Sequence, residues 1–153
     1  MQAQVRGDAV VLEIEIDASP ERVFRALTDP RELSTWWNEG SDSGRQAWEL
    51  DARVGGHWKT SGVSKSSGAW ETYGVIVELD PPRVLAMTWH ERLDKPRPFG
   101  ETLVRYELEP SGSGTRIRFT HSGFSSYRDA FEDYSKGWHP VFALLRKYVV
   151  TAA

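Results

Sequence analysis

The chain has no cysteine and only two methionines among its 153 residues. Without cysteine there is no disulfide framework, no thiolate metal site and no cysteine nucleophile, and the redox compartment is left open. No apolar run reaches the roughly 18 residues that a membrane-spanning helix needs. The first residues also lack the basic patch and apolar stretch of a signal peptide, so a cytoplasmic location is expected. Positive charge is not in excess: 19 Lys and Arg against 22 Asp and Glu give a net charge of -3. With no Lys/Arg block, the sequence does not read as a nucleic-acid binder or as a ligand for anionic membranes. Chemical signatures are equally sparse. His57, His90, His121 and His139 show no metal-ligand spacing. Nucleophile-elbow, phosphate-loop and dinucleotide fingerprints are missing too, so neither a metal nor a cofactor is expected.

Large rings are what the sequence does have. Seven Trp, five Tyr and six Phe make the chain 12% aromatic. A chain of this length buries roughly 70% of its unfolded surface, enough for one core without staples. A single domain over residues 1–153 is therefore expected, with no repeat and no linker.

The apolar periodicity gives the order of elements. Val10, Leu12, Ile14 and Ile16 alternate with Val11, Glu13, Glu15 and Asp17, as in a strand with one covered face. Ser19 before Pro20 marks a helix start, and Val23, Phe24 and Leu27 form its apolar stripe. Asp29-Pro30 ends that helix and a short second one follows over residues 31–37. From residue 46 to 123 the period is two. Strands are centred on Trp48 and Leu50, residues 54–60, Tyr73 to Leu79 by odd numbers, Leu85 to Trp89, Val104 to Leu108, and Ile117 to His121. The Ser/Gly-rich pieces at 38–45, 61–68 and 110–114 read as connections, with Gly112-Ser113-Gly114 a hairpin loop. Phe131, Tyr134, Trp138, Phe142, Leu145 and Val149 then fall at helical spacing, in phase across Pro140. One long helix, bent or restarted near Gly137 to Pro140, would cover the inner face of an antiparallel meander.

Four segments in this order resemble a known family. They are residues 18–30 followed by Trp36-Trp37; Val54-Gly55-Gly56-His57-Trp58; residues 74–85 with Asp80-Pro81-Pro82, ending in Thr88-Trp89; and Gly137-Trp138-His139-Pro140. Together they resemble the helix-grip fold of the START/Bet v 1-like superfamily, and within it the SRPBCC-type group named for the activator of Hsp90 ATPase. The likeness spans residues 11–148. It implies an α+β fold in which a curved antiparallel sheet of about seven strands grips a long C-terminal helix, with two short helices and a cavity for small apolar molecules between sheet and helix. Activators of that name carry a further N-terminal domain that this chain lacks, so the resemblance speaks for fold more than for chaperone activation.

Strand parity then assigns rings to the implied cavity: Trp58, Tyr73, Trp89, Tyr106 and Phe119 from the sheet. Trp138, Phe142 and Tyr134 join them from the helix. Trp36 and Trp37 are adjacent in a helix, so one should be core and the other, Trp37 in the candidate set, should face the cavity mouth. Trp48 is expected to pack, and Trp70, out of phase with Tyr73, to be partly exposed. His121 shares parity with Ile117 and Phe119, and Glu71 with Tyr73 and Val75. Each reads either as a hydrogen-bonded inner residue or as half of an acid/base pair. Gly55-Gly56 reads as a bulge or a close backbone approach. The expected function is binding of a small hydrophobic or aromatic ligand by a monomer or homodimer. The alternatives are a cyclase, dehydratase or hydrolase acting on an aromatic or polyketide-like substrate through Glu71 and His121, and a chaperone-activating or other interaction domain.

Overall fold

A computed structural model describes residues 3–6, 9–37, 47–64 and 68–151. Its local structure follows from the capping chemistry. Helix α1, Pro20–Thr28, starts where the Ser19 hydroxyl accepts the Arg22 amide at 3.1 Å, with Pro20 in the first turn where no amide is needed. Asp29 both ends α1, its own amide bonding the Arg25 carbonyl at 2.9 Å, and caps α2, Pro30–Trp36, by accepting the Arg31 amide at 2.9 Å. That shared residue is why the two helices have almost no loop.

The strands are β1, Ala3–Arg6; β2, Ala9–Ile16; β3, Ala47–Leu50; β4, His57–Ser64; β5, Gly68–Asp80; β6, Val84–Leu93; β7, Thr102–Ser111; and β8, Gly114–Ser122. They form one antiparallel sheet in the order β1-β2-β8-β7-β6-β5-β4-β3. Helix α3, Arg128–Thr151, lies over one face, here the inner face, where Trp138 meets Trp89 and Phe119. The architecture is the expected α+β one, and the seven expected strands are β2 to β8. The eighth, β1, had no signature in the sequence; it pairs Ala3 with Leu12 and Arg6 with Ala9 along the edge of β2.

Three other expectations change. The proposed connection at 61–68 is mostly strand, since β4 runs to Ser64 and β5 begins at Gly68; residues 65–67, like the 38–45 connection, lie outside the described residues. Gly55 and Gly56 precede β4 in a turn, where they meet the Ile76 backbone at 2.8 and 2.9 Å. A side chain on Gly56 would sit 2.0 Å from the Asp51 carbonyl oxygen, so close approach is what the pair provides. Third, the expected long helix is present, and of the bend or restart expected near Pro140 there is no restart, since α3 runs through as one helix.

The largest correction concerns the face of β5. Thr72, Gly74 and Ile76 are buried on the inner face, whereas Val77 is 47% exposed and a register shift falls between Ile76 and Glu78. Tyr73 and Glu71 therefore lie on the outer face, opposite to their expected placement. There Tyr73 stacks on His90 at 5.2 Å with the Arg92 guanidinium 4.8 Å from its ring, and Glu71 is ion-paired with Arg92. Trp70 is partly exposed, as expected, but stands on the inner face, where it lines the cleft described below. Gly74 has no side chain because Trp58, its cross-strand partner, reaches past it to donate its indole N–H to the Thr88 carbonyl at 2.9 Å. A Cβ at Gly74 would lie 1.9 Å from that same oxygen.

The far end of α3 is tied to the helix pair through Glu32, which accepts bonds from Arg22 at 2.7 Å, Arg25 at 3.1 Å and the Tyr148 hydroxyl at 2.9 Å. Such charge-assisted bonds are stronger than neutral ones and fix the helices against one another. Two glycines should respond in opposite ways to the same substitution, with urea denaturation as the measurement. Gly74→Ala should destabilise by about 1–3 kcal/mol or more, as overpacking does. Gly137→Ala, where an added Cβ meets nothing within 4 Å, should stabilise α3 by about 0.5–1 kcal/mol.

Candidate functional site

Five indoles close into a ring on the inner face. Trp37 lies 4.8 Å from Trp48, Trp48 5.7 Å from Trp58, Trp58 4.5 Å from Trp89, Trp89 5.2 Å from Trp138, and Trp138 5.8 Å from Trp37. Adjacent helical positions divide the Trp36-Trp37 pair. Trp36 is buried with its N–H on the Ala26 carbonyl at 2.9 Å, and Trp37 turns to the ring. Against this ring opens a cleft of about 410 Å³, floored by Trp89 and Trp138 and walled by Trp37, Trp70, Thr72 and Tyr134. Thr60, Ser64, Glu91, Leu93, Arg97, Asp133, Gly137 and Val141 complete its lining.

Two hydrogen-bonded chains meet at Trp89. In the first, the Trp138 indole N–H donates to His121 Nδ1 at 3.0 Å. An indole is a donor only, so Nδ1 carries no proton and the ring is the Nε2–H tautomer. That hydrogen points at Thr102 Oγ1, 2.8 Å away, and the threonine hydroxyl in turn donates a hydrogen bond to the Trp89 carbonyl at 2.8 Å. His121 is 0% exposed, and burial pushes its pKa down to about 3. It is a neutral, fully bonded core residue.

In the second chain the Trp89 indole N–H donates to the Tyr134 hydroxyl at 3.0 Å, which donates to Glu91 Oε2 at 2.9 Å. Glu91, whose side chain is 3% exposed, is held by Arg97 through Nε at 2.7 Å and Nη2 at 3.2 Å. Arg97 also bonds Asp133 and lies 6.0 Å from the Tyr134 ring. Burial, then the Glu91 charge, raises the Tyr134 phenol far above its ordinary value, so it stays a neutral donor.

Of the expected ligand-contacting residues, Trp37, Trp89, Tyr134 and Trp138 line the cleft. Trp58, Tyr106, Phe119, His121 and Phe142 are on the inner face but packed beneath it, Phe119 within 4.4 Å of Trp138 and 5.1 Å of Phe142. Tyr73 and Glu71 are on the outer face, so Glu71 and His121 do not meet. The sequence reading missed Trp70, Thr72, Glu91 and Arg97. Glu91 did carry a signal, since it continues the Leu85, Met87, Trp89 alternation by one inward step. Among the described residues no group of three or more His, Asp or Glu could hold a metal ion, and no helix is long and apolar enough to cross a membrane.

The family model described as "Activator of Hsp90 ATPase homolog 1-like protein" matches residues 17–150. The chain belongs to that family. No curated protein matches it. Among solved structures it is similar to a Chromobacterium violaceum protein at 27% identity and a TM-score of 0.74, covering 93% of this chain and 97% of the other. A solution structure from Arthrobacter aurescens aligns over 99% of this chain and 92% of its own, with a TM-score of 0.82 at 18% identity. DynU16, titled a putative protein in the dynemicin biosynthetic locus, is similar over 96% of this chain and 49% of its own, with a TM-score of 0.73 at 17% identity. At such identities the last two likenesses are of fold. This family member thus has the family's sheet-and-helix frame, with its cleft built on an indole ring.

The buried neutral histidine has a measurable consequence. Its folded pKa lies below the ordinary 6.5. Between those values the unfolded chain binds a proton that the folded chain does not, so stability must fall as pH drops below about 6.5, by up to about 1.4 kcal/mol per unit. Asp29, whose carboxyl is held low by its Arg31 bond, loses stabilisation only at lower pH. Urea titrations near pH 7 and pH 5 should therefore show the slope in the wild type and a flatter one in His121→Gln. Thr102→Val, which strands the His121 Nε2–H and the Trp89 carbonyl, should cost about 1–3 kcal/mol.

Proposed function

We propose that this family member binds a small, flat, largely apolar molecule in the cleft bounded by Trp37, Trp89, Trp138 and Tyr134. The observation that carries this reading is the combination of an open, indole-walled cleft of about 410 Å³ with acidic and basic groups already bonded to one another. Cleft volumes of this order suit small ligands, which are held mostly by apolar walls and oriented by few polar groups. Indole faces favour offset or edge contact with another ring. Gly137 supports the same reading, because helix α3 lines the cleft there with no side chain at all.

An acid/base mechanism through Glu71 and His121 has no support in this geometry. Glu71 faces outward on Arg92, and both His121 nitrogens are engaged beneath the cleft. The likeness to DynU16 is one of fold and adds nothing on substrate. Binding is therefore favoured over proton-transfer catalysis.

Quenching of tryptophan fluorescence during titration with tricyclic aromatic compounds should be saturable, with a Kd on the order of 1–100 μM. Gly137→Leu should weaken it at least about tenfold by filling the cleft, while thermal unfolding stays at or above the wild-type temperature. A panel of aromatic compounds that gives no saturable quenching would remove the reading.

A further inference from the structure

Two polar groups in the cleft wall have no hydrogen-bond partner among the described residues. Trp70 Nε1 and Thr72 Oγ1 are both shielded from solvent, and neither has a protein acceptor within hydrogen-bond reach among the described residues. Thr72 is only 8% exposed. Both residues line the cleft and both stand on the inner face of β5, two positions apart. A buried donor left unpaired costs free energy that packing must offset, so orphaned groups inside a cleft mark where something else bonds. The opposite wall differs, for the Tyr134 hydroxyl and Glu91 are bonded to Arg97 and Trp89 and have no free hydrogen.

Resting on the binding function proposed above, we infer that the β5 wall is an oxygen-acceptor subsite: the ligand is a planar ring system bearing a carbonyl-type oxygen that takes the Trp70 N–H or the Thr72 O–H. The Trp70 indole can only donate and the Thr72 hydroxyl can donate, so one ligand acceptor suits either group. A carboxylate ligand is disfavoured, because Glu91 and Asp133 against Arg97 leave the cleft walls with one excess negative charge. A neutral ketone meets both conditions. The Thr72 hydroxyl contributes nothing to the unliganded fold that the described residues reveal, so it is kept at a cost unless a ligand uses it.

The test compares 9-fluorenone with fluorene, which share shape and differ by the carbonyl oxygen, by calorimetry and fluorescence quenching on the wild type, Trp70→Phe and Thr72→Val. The wild type should prefer the ketone by about 3- to 10-fold, the range of one neutral hydrogen bond. That ratio of ketone to hydrocarbon affinity should fall to near unity in at least one variant. Thr72→Val should also unfold no earlier than the wild type without ligand, since its hydroxyl has no partner to lose. Equal binding of ketone and hydrocarbon by the wild type would overturn the subsite and leave the cleft function standing. A preference that survives both substitutions would also overturn it. Binding of neither compound, with the variants folded, would count against both.

Discussion

A buried indole is stabilised by placing its single N–H on an acceptor, and in this chain such bonds tie the interior together, although the N–H groups of Trp48 and Trp70 find no partner among the described residues. Four of the seven tryptophans make such a bond across element boundaries. Trp36 bonds α2 to the Ala26 carbonyl of α1, Trp58 bonds β4 to the Thr88 carbonyl of β6, Trp89 bonds β6 to Tyr134 of α3, and Trp138 bonds α3 to His121 of β8. Each bond is a directional cross-link in a core otherwise held by non-directional apolar burial. The same bonds also dictate chemistry. Because Trp138 can only donate, His121 must present a bare Nδ1, and the opposite nitrogen must then carry the proton that Thr102 receives. His121 is thereby held as a neutral, fixed strut.

Much of this frame was legible in the sequence because its signals are local. Ser19-Pro20 marks the start of α1 by capping chemistry, Asp29-Pro30 marks its end with a second helix following at once, and β2, β7 and β8 alternate without interruption. The stripe from Phe131 to Val149 gave α3 and its covering role, since Pro140 falls where the phase is kept. The inward position of His121 followed from Ile117 and Phe119. Edge strand β1 was not legible, because four residues against one neighbour impose little pattern.

The face of β5 was misread for a physical reason. Its inner positions are Trp70, Thr72, Gly74 and Ile76, of which two are small or polar: Thr72 lines the cleft and Gly74 makes way for the Trp58 ring. Its outer positions carry Tyr73 and Val75, which look like core. Tyr73 instead finds its apolar cover in His90 and the Arg92 guanidinium on the solvent side. The irregularity between Ile76 and Glu78 then restores Leu79 to the core, so a single parity cannot describe the strand. Hydrophobicity tracks burial only where nothing but packing is asked of a position. The departures here fall beside the cleft.

Glu91 makes the same point with a charge. In sequence His90-Glu91-Arg92 reads as the polar end of a strand, yet only the middle residue turns inward, and its carboxylate is almost fully shielded. Removing a carboxylate from water is costly unless its lone pairs are filled, and Arg97 with Tyr134 fills them. The cost is met at one wall of the cleft, where the Tyr134 hydroxyl hydrogen and three of the five Arg97 N–H are committed to Glu91 and Asp133. The β5 wall is built the other way, with donors whose partners the described residues do not contain. The two polar walls thus differ, one an ion-paired network and the other holding groups without a partner among the described residues. On the binding function proposed above, a ligand between Trp89 and Trp138 would gain apolar contact in any orientation and would add hydrogen bonds at the β5 wall in only some of them. That asymmetry, rather than any reactive group, would then set what the cleft selects.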